Sequence, residues 1–425
     1  MKIPVSSVVF RKDLYPRIEH NQAKAQEYAE NIDYLPPIEV NQHKELIDGF
    51  HRWTAHKLAG IEEIPAIVIE TSSDEHLLEL AIQKNAAHGL QMSQSDKKDM
   101  AIRFYSISKR TPERKKELAK LLSVSIDSIQ SWVKDLDQAE REKRRKTIQE
   151  LYLKCYTAEE IGEVVGTSVQ PVKEEIEVLS DENGTFRKNP KVTFSESEYA
   201  PPIYNVWAFG KKTNETEHFG NTEQRIVDNL LWLYTQPLDI VVDPFGGGGS
   251  TLDACKARGR RCWISDRKPK PGMEDKLRTM DICVGLPPLN KRWSDVSLTY
   301  LDPPYWRQAQ NEYSTDAEDL ANMPLDEFTE KMVGIVKRIA AKQSKGVIAL
   351  IIQPTQWRAE PKGAFADHVF DIMQGVSKCS KLTVENRISC PYSSEQCTPQ
   401  MVEWSKENKK PLVLSRELVV WRVAS

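Results

Sequence analysis

The chain has 425 residues, more than one hydrophobic core usually supports, so two to four domains are expected. Hydrophobic residues make up 40% and charged residues 28%, which excludes a disordered or membrane-embedded chain, and a formal net charge of −3 requires any nucleic-acid surface to be local. Seven cysteines with no C-x-x-C spacing exclude a disulfide framework and argue against a zinc site. No apolar run reaches membrane-spanning length, and residues 1–7 lack the apolar stretch of a signal peptide, so a cytoplasmic protein is expected.

In chain order, residues 37–41 and 45–47 read as a strand pair across the turn 42–44, and 64–69 as a further strand. Between them lies the helix 50–60, preceded by Gly49. A glycine before a helix that opens with His51 and Arg52 is a candidate phosphate seat, because first-turn N–H groups and a guanidinium can converge there. His51 and His56 also have the chemistry of general bases or metal ligands, against the simpler reading of structural or solvated histidines.

Residues 109–146 carry 12 Lys/Arg against 7 Asp/Glu, a local net charge of +5. Within them, 116–133 has helix-turn-helix spacing: Leu118, Ala119 and Leu122 face a core, Ser123 makes the turn, and Ile129, Trp132 and Val133 close the second helix. Ser125, Ser128, Gln130 and Ser131 fall on its open face, with Ser128 and Gln130 as candidate DNA contacts. A second copy of the pattern spans 151–176, but its second helix is acidic, so it reads as a weaker reader or a spacer. A polar, turn-rich linker follows at 180–190.

Residues 240–251 form an apolar run, Asp243-Pro244-Phe245, a four-glycine turn ending at Gly249, and Ser250-Thr251, with a helix at 252–257. Strand, glycine turn and helix make the first unit of a doubly wound sheet, in which glycines let a cofactor approach the backbone. A second strand, 261–265, ends in Asp266, where a ribose diol is usually held. The apolar run 296–301 then delivers Asp302-Pro303-Pro304-Tyr305. Two prolines remove two N–H donors and stiffen the carbonyls beside the Asp302 carboxylate, giving an acceptor pair for an exocyclic NH₂ group. Tyr305 offers a flat face for a base, and Trp306 reads equally as an extension of that platform or as a core residue. A helix at 325–341, a strand at 347–352 and final strands at 412–423 complete the region. Sequence readout is expected from the loop 306–323, the segment 356–396 or the N-terminal modules.

With these motifs, the C-terminal half resembles the DNA amino-methyltransferases that use S-adenosylmethionine. Their glycine motif D-P-F-x-G-x-G-T-T is matched with Ser250 at the first Thr, and their tetrapeptide D/N/S-P-P-Y/F/W is matched in full. The resemblance implies cofactor contacts from Asp243, Pro244, Phe245, Gly247, Gly249, Thr251 and Asp266. A loosely similar cofactor segment adds Phe219, Asn221 and Thr222. It implies direct transfer, with catalysis by Asp302, Pro303, Pro304 and Tyr305, a base flipped out of double-stranded DNA, and neither a nucleophilic cysteine nor a metal. Asp at the first tetrapeptide position points to adenine N6, with cytosine N4 as the alternative.

Residues 45–69, with Gly49, His51 and Arg52 before a helix and then a strand, resemble the ParB/sulfiredoxin family, whose fingerprint is G-E-R-R or G-C-H-R. Phe50 replaces the sulfiredoxin cysteine, so sulfinic-acid reduction is not expected. For this module the ordering is DNA organisation or substrate location first, nucleotide (CTP) binding second and nuclease action third. The expected fold is α/β: a ParB/sulfiredoxin-like domain at 1–92, a helix-turn-helix at 93–140, a second helical unit at 141–182, a linker at 183–198 and a Rossmann-like methyltransferase domain at 199–425. A homodimer is left open, as is a partition-type DNA-binding regulator with an inactive methylase half.

Overall fold

The computed structural model describes residues 1–16, 22–87, 92–209, 223–308, 316–356, 364–391 and 397–424. The chain forms two compact units, Met1–Arg144 and Arg145–Ser425.

The first unit opens with β1 (Lys2–Pro4), α1 (Gln22–Ala29), β2 (Ile38–Val40), β3 (Leu46–Asp48), α2 (Phe50–Leu58) and β4 (Glu63–Val68). The sheet order is β1-β4-β2-β3, with β2 and β4 parallel. The β2–β3 turn forms where expected because the Asn41 Oδ1 accepts the N–H groups of His43 (3.0 Å) and Glu45 (2.9 Å), an Asx turn that leaves Lys44 at φ 62°. Trp53 of α2 packs on Ile38, Val40, Leu46 and Ile64 of the sheet.

Helices α3 (Asp74–Ala87), α4 (Gln94–Ile107), α5 (Pro112–Leu122) and α6 (Ile126–Leu153) follow. Ser93 and Asp96 cap α4 reciprocally, and Thr111 with Pro112 starts α5. Ser123 takes the left-handed conformation (φ 52°) between α5 and α6, and Leu118, Leu122, Ile129 and Val133 are buried together, as the helix-turn-helix spacing requires. The division expected after residue 140 falls inside α6. That helix contains neither glycine nor proline, so nothing in its sequence stops it.

The second unit begins with the remainder of α6, then α7 (Ala158–Val165), α8 (Val169–Ser180) and the short α9 (Pro190–Thr193). The segment 183–198 is not a free tether. Val192 and Phe194 are buried, and Arg260, itself buried, donates to the Val192 carbonyl.

The sheet then builds from α10 (Gln224–Tyr234), β5 (Ile240–Asp243), α11 (Ser250–Ala257), β6 (Arg261–Asp266), β7 (Arg278–Thr279), β8 (Val296–Leu301), α12 (Leu325–Lys342), β9 (Val347–Ile352), α13 (His368–Ser377), β10 (Leu382–Pro391), α14 (Pro399–Asn408) and β11 (Ser415–Val423). Strand order is β7-β6-β5-β8-β9-β11-β10; the first five are parallel, and β11 runs against both neighbours.

Alternate residues of each central strand enter different cores. Val242, Ile348 and Leu350 pack with Phe328 and Met332 of α12 and Ile372 of α13, whereas Val241, Ala349 and Ile351 pack with Ile226 and Leu230 of α10 and Leu252 of α11. Burial on both faces explains why these strands read as unbroken apolar runs. The architecture is the expected Rossmann-like α/β sheet. Within 356–396, where readout is expected, the described residues form α13 and β10, and residues 357–363 and 392–396 lie outside the described residues. Among the described residues no helix is long and apolar enough to cross a membrane.

Candidate functional site

From β5 the chain passes through α11 to β6 on one side, and later returns to β8 on the other side of β5. Strand order therefore reverses between β5 and β8. In open α/β sheets, ligands bind outside the carboxyl ends of the strands at such a switch point. Those two ends carry the glycine turn after Asp243 and the tetrapeptide that starts at Asp302, so the fold brings the two motifs together.

The glycine turn is held by its own backbone. Gly246 N–H donates to the Ser265 carbonyl (2.8 Å) and Gly249 N–H to the Gly246 carbonyl (2.8 Å). A Cβ on Gly246 would lie 2.6 Å from Ile264 Cγ2 and 3.1 Å from the Ser265 carbonyl oxygen, so the turn lies flat on β6 only without a side chain there. Gly249, at φ 86°, caps α11 and lies against the Met273 methyl. Among the described residues, a Cβ on Gly247 would meet only the Phe245 carbonyl, at 3.7 Å, so they leave this stretch of backbone uncovered.

The acids are oriented from within. Asp243 accepts the Phe245 N–H (2.8 Å) and is fully buried, and that burial raises its carboxyl to about 7 despite the Thr251 and Phe245 hydrogen bonds that oppose it. Asp302 and Asp266 add to the upward shift, which places the three carboxylates within electrostatic reach of one another. Asp266 accepts N–H groups from Gly247 (2.9 Å) and Lys268 (2.8 Å), and burial raises its carboxyl as well.

Asp302 receives the Tyr305 hydroxyl on Oδ1 (3.2 Å) and, at the limit of hydrogen bonding, the Tyr300 hydroxyl on Oδ2 (3.5 Å). Pro303 is buried, Pro304 and Tyr305 half-buried. Trp306 is a core residue, not a platform: its Nε1 donates to the Met323 carbonyl (2.9 Å), and its own carbonyl accepts the Thr355 hydroxyl (2.9 Å).

Phe219, Asn221 and Thr222 lie outside the described residues. The helix after them, α10, is anchored by Ile226, Val227, Leu230 and Leu231 and by the Arg258–Asp228 ion pair (3.0 Å). Tyr300 and Arg267 are additions that the sequence reading missed. Tyr300 was detectable, because residues i and i+2 of a strand share a face and Tyr300 stands two before Asp302. Arg267 pairs with Asp316 and Asp281, tying the tip of β6 to the segment that follows the tetrapeptide. Nothing in its local sequence signals those distant partners.

In the first unit, Gly49 takes φ 104° at the start of α2, and a Cβ there would meet Ile38 at 2.7 Å. The Arg52 guanidinium is turned inward: it donates to Asp48 Oδ2 (2.5 Å) and to the carbonyls of Pro36 (3.1 Å) and Pro37. His56 is buried with Nδ1 2.8 Å from the Arg52 carbonyl, and His51 meets the Phe50 ring edge-on. The Arg52 guanidinium of the expected phosphate seat at Gly49, His51 and Arg52 is engaged by Asp48 and by the Pro36 and Pro37 carbonyls. On α6, Gln130 is exposed and Ser128 is half-exposed, its N–H bonded to the Ser125 hydroxyl (3.1 Å).

Comparison of the chain with known protein families matches residues 56–271, just over half of it, to DNA methylase, a span that contains the glycine turn and Asp266. The chain belongs to the DNA methylase family. In this methylase the Asp302 tetrapeptide lies beyond the matched span and is located by the fold alone. Residues 2–86 match the ParB N-terminal domain.

Among solved structures, the chain is similar to the C-terminally truncated chromosome-partitioning protein ParB from Caulobacter crescentus complexed to the centromeric parS site. The identity is 18% over 41% of this chain and 97% of that one, with a TM-score of 0.24. It is also similar to a Pnob8-like ParB-N domain, at 13% identity over 31% of this chain and 67% of that one, with a TM-score of 0.24. No curated protein matches.

Methylases of this family act on amino groups of DNA bases and use S-adenosylmethionine, and the residues of the switch point fit that group. They supply, among the described residues, an uncovered glycine backbone at Gly247, a fixed acid at Asp266, and a buried Ser265 hydroxyl without a hydrogen-bond partner. Among the described residues, no group of three or more His, Cys, Asp or Glu side chains is arranged to hold a metal.

Proposed function

We propose that the chain methylates the N6 amino group of adenine in double-stranded DNA, with the helix-turn-helix of α5 and α6 contributing to the DNA grip. The observation that carries the reading is Asp302 at the carboxyl end of β8, its carboxylate already fixed by the Tyr305 hydroxyl beside the glycine turn. S-adenosylmethionine, when bound, supplies an electrophilic methyl group.

The chain's own residues do the rest. Asp302 and the Pro303 carbonyl accept the two N–H bonds of the target amine, which turns its lone pair out of the base plane and toward the cofactor side. Tyr305 keeps its hydroxyl on Asp302 while its ring receives the flipped base. Gly247, Asp266, Asp243 and Thr251 form the cofactor side of the crevice. Nuclease digestion of DNA treated with the protein and labelled cofactor, followed by mass spectrometry of the nucleosides, is expected to show N6-methyladenine. N4-methylcytosine alone would move the target to cytosine, and absence of label from DNA would leave a binding protein.

The raised Asp243 carboxyl gives a pH dependence. Its pKa lies above the ordinary carboxylate value, so ionised Asp243 disfavours the cofactor-free fold: its contribution to stability is full below about 4 and is lost as the pH rises toward 7. A bound sulfonium cation favours the ionised form. Affinity for S-adenosylmethionine is therefore expected to rise between pH 6 and 8, with proton release on binding, and less so for the product, which lacks the sulfonium charge. Calorimetry in buffers of different ionisation enthalpy measures this, and equal pH slopes for the two ligands would contradict it.

A further inference from the structure

Arg307 follows the tetrapeptide by two residues and stands at φ 58°, a left-handed conformation that side-chain-bearing residues seldom adopt. The backbone around it is bolted in place. Its N–H donates to the Ala321 carbonyl (3.2 Å), while the preceding Trp306 is pinned through its indole to Met323 and through its carbonyl to Thr355. The Arg307 side chain, in contrast, is half-exposed. Its guanidinium lies 5.6 Å from the centroid of the Trp306 ring and, among the described residues, is within ion-pair distance of no carboxylate. Asp316, the first described acid after Arg307 in the chain, pairs with Arg267. A rigid, strained backbone that presents a cation with no ion-pair partner among the described residues, beside an amine-binding carboxylate, is a costly arrangement unless an anion completes it.

We propose that Arg307 is a positioning residue that grips a backbone phosphate next to the flipped nucleotide, so that the target amine is held at Asp302. The inference rests on the methyl-transfer reading and adds to it the group that holds the extruded strand. A planar guanidinium offers two parallel N–H bonds to one phosphodiester, and a flipped nucleotide exposes the phosphates on either side of it. The turn fixes where that fork stands. Position thus matters as much as charge.

The test uses the full-length protein and a duplex containing the base found methylated by the wild type. In one set of duplexes, a neutral methylphosphonate replaces the phosphate on either side of that nucleotide. Arg307→Ala is expected to lower kcat/KM about 10- to 100-fold on the unmodified duplex, the range for a hydrogen bond to a charged group, with affinity for S-adenosylmethionine retained. One of the neutral linkages is expected to lower the wild-type rate by a similar factor and to leave the variant's rate unchanged. Arg307→Gly, which suits the left-handed turn, is expected to behave like Arg307→Ala and thereby to separate loss of the cation from backbone strain. Wild-type rates in both variants, or a variant that still responds to the neutral linkage, would overturn the proposal. If the wild type itself labels no DNA, the methyl-transfer reading falls and this one with it.

Discussion

Asp302→Ala is expected to reduce methyl transfer to DNA by about a thousandfold while leaving affinity for S-adenosylmethionine within a few-fold of wild type. The carboxylate would act on the target amine, and its two tyrosine partners hold it in place for that contact. Asp302→Asn keeps one acceptor oxygen and should fall between the two. Single-turnover incorporation of labelled methyl, with the cofactor dissociation constant measured in parallel, separates the roles. An alanine variant that transfers methyl at the wild-type rate would remove Asp302 from the chemistry.

Gly246→Ala is expected to do the reverse, losing cofactor affinity first. A methyl group there would lie 2.6 Å from Ile264 Cγ2 and 3.1 Å from a β6 carbonyl, so the turn must lift from β6 or β6 must shift. Overpacking of this kind costs about 1–3 kcal/mol, and the same range taken from binding weakens it about 5- to 150-fold. Lifting the turn also breaks the Gly246–Ser265 bond and moves Gly247 off Asp266. Calorimetric titration with S-adenosylmethionine, together with thermal unfolding, tests this. A variant that binds as tightly as wild type would show that the turn does not seat the cofactor.

The central part of the sheet was legible because its chemistry is local. β5, β8 and β9 are buried on both faces and so spell continuous apolar runs, and the glycine turn and the tetrapeptide carry their constraints within a few residues. β10 was not legible: residues 383–387 are all exposed, so no alternation marks a strand that is paired mainly through β11. The antiparallel sense of β11 likewise follows from the insertion of that strand between β9 and β10, not from its composition. At the site, Asp302 and the glycines could be named from sequence. The inward turn of Arg52 could not, since it depends on where the carbonyls of Pro36 and Pro37 fall. Trp306 was ambiguous for the same reason, and its bond to Met323 decides the matter.

Asp266 joins three pieces of backbone before any ligand arrives, with one oxygen on the glycine turn after β5 and the other on the turn that follows β6. Each carboxylate oxygen still has a second lone pair. On the reading proposed above, an incoming ribose diol would add its hydroxyl groups without evicting the internal donors. The two turns that Asp266 joins are held before binding, so the ordering entropy of this part of the crevice is spent during folding and not on recognition.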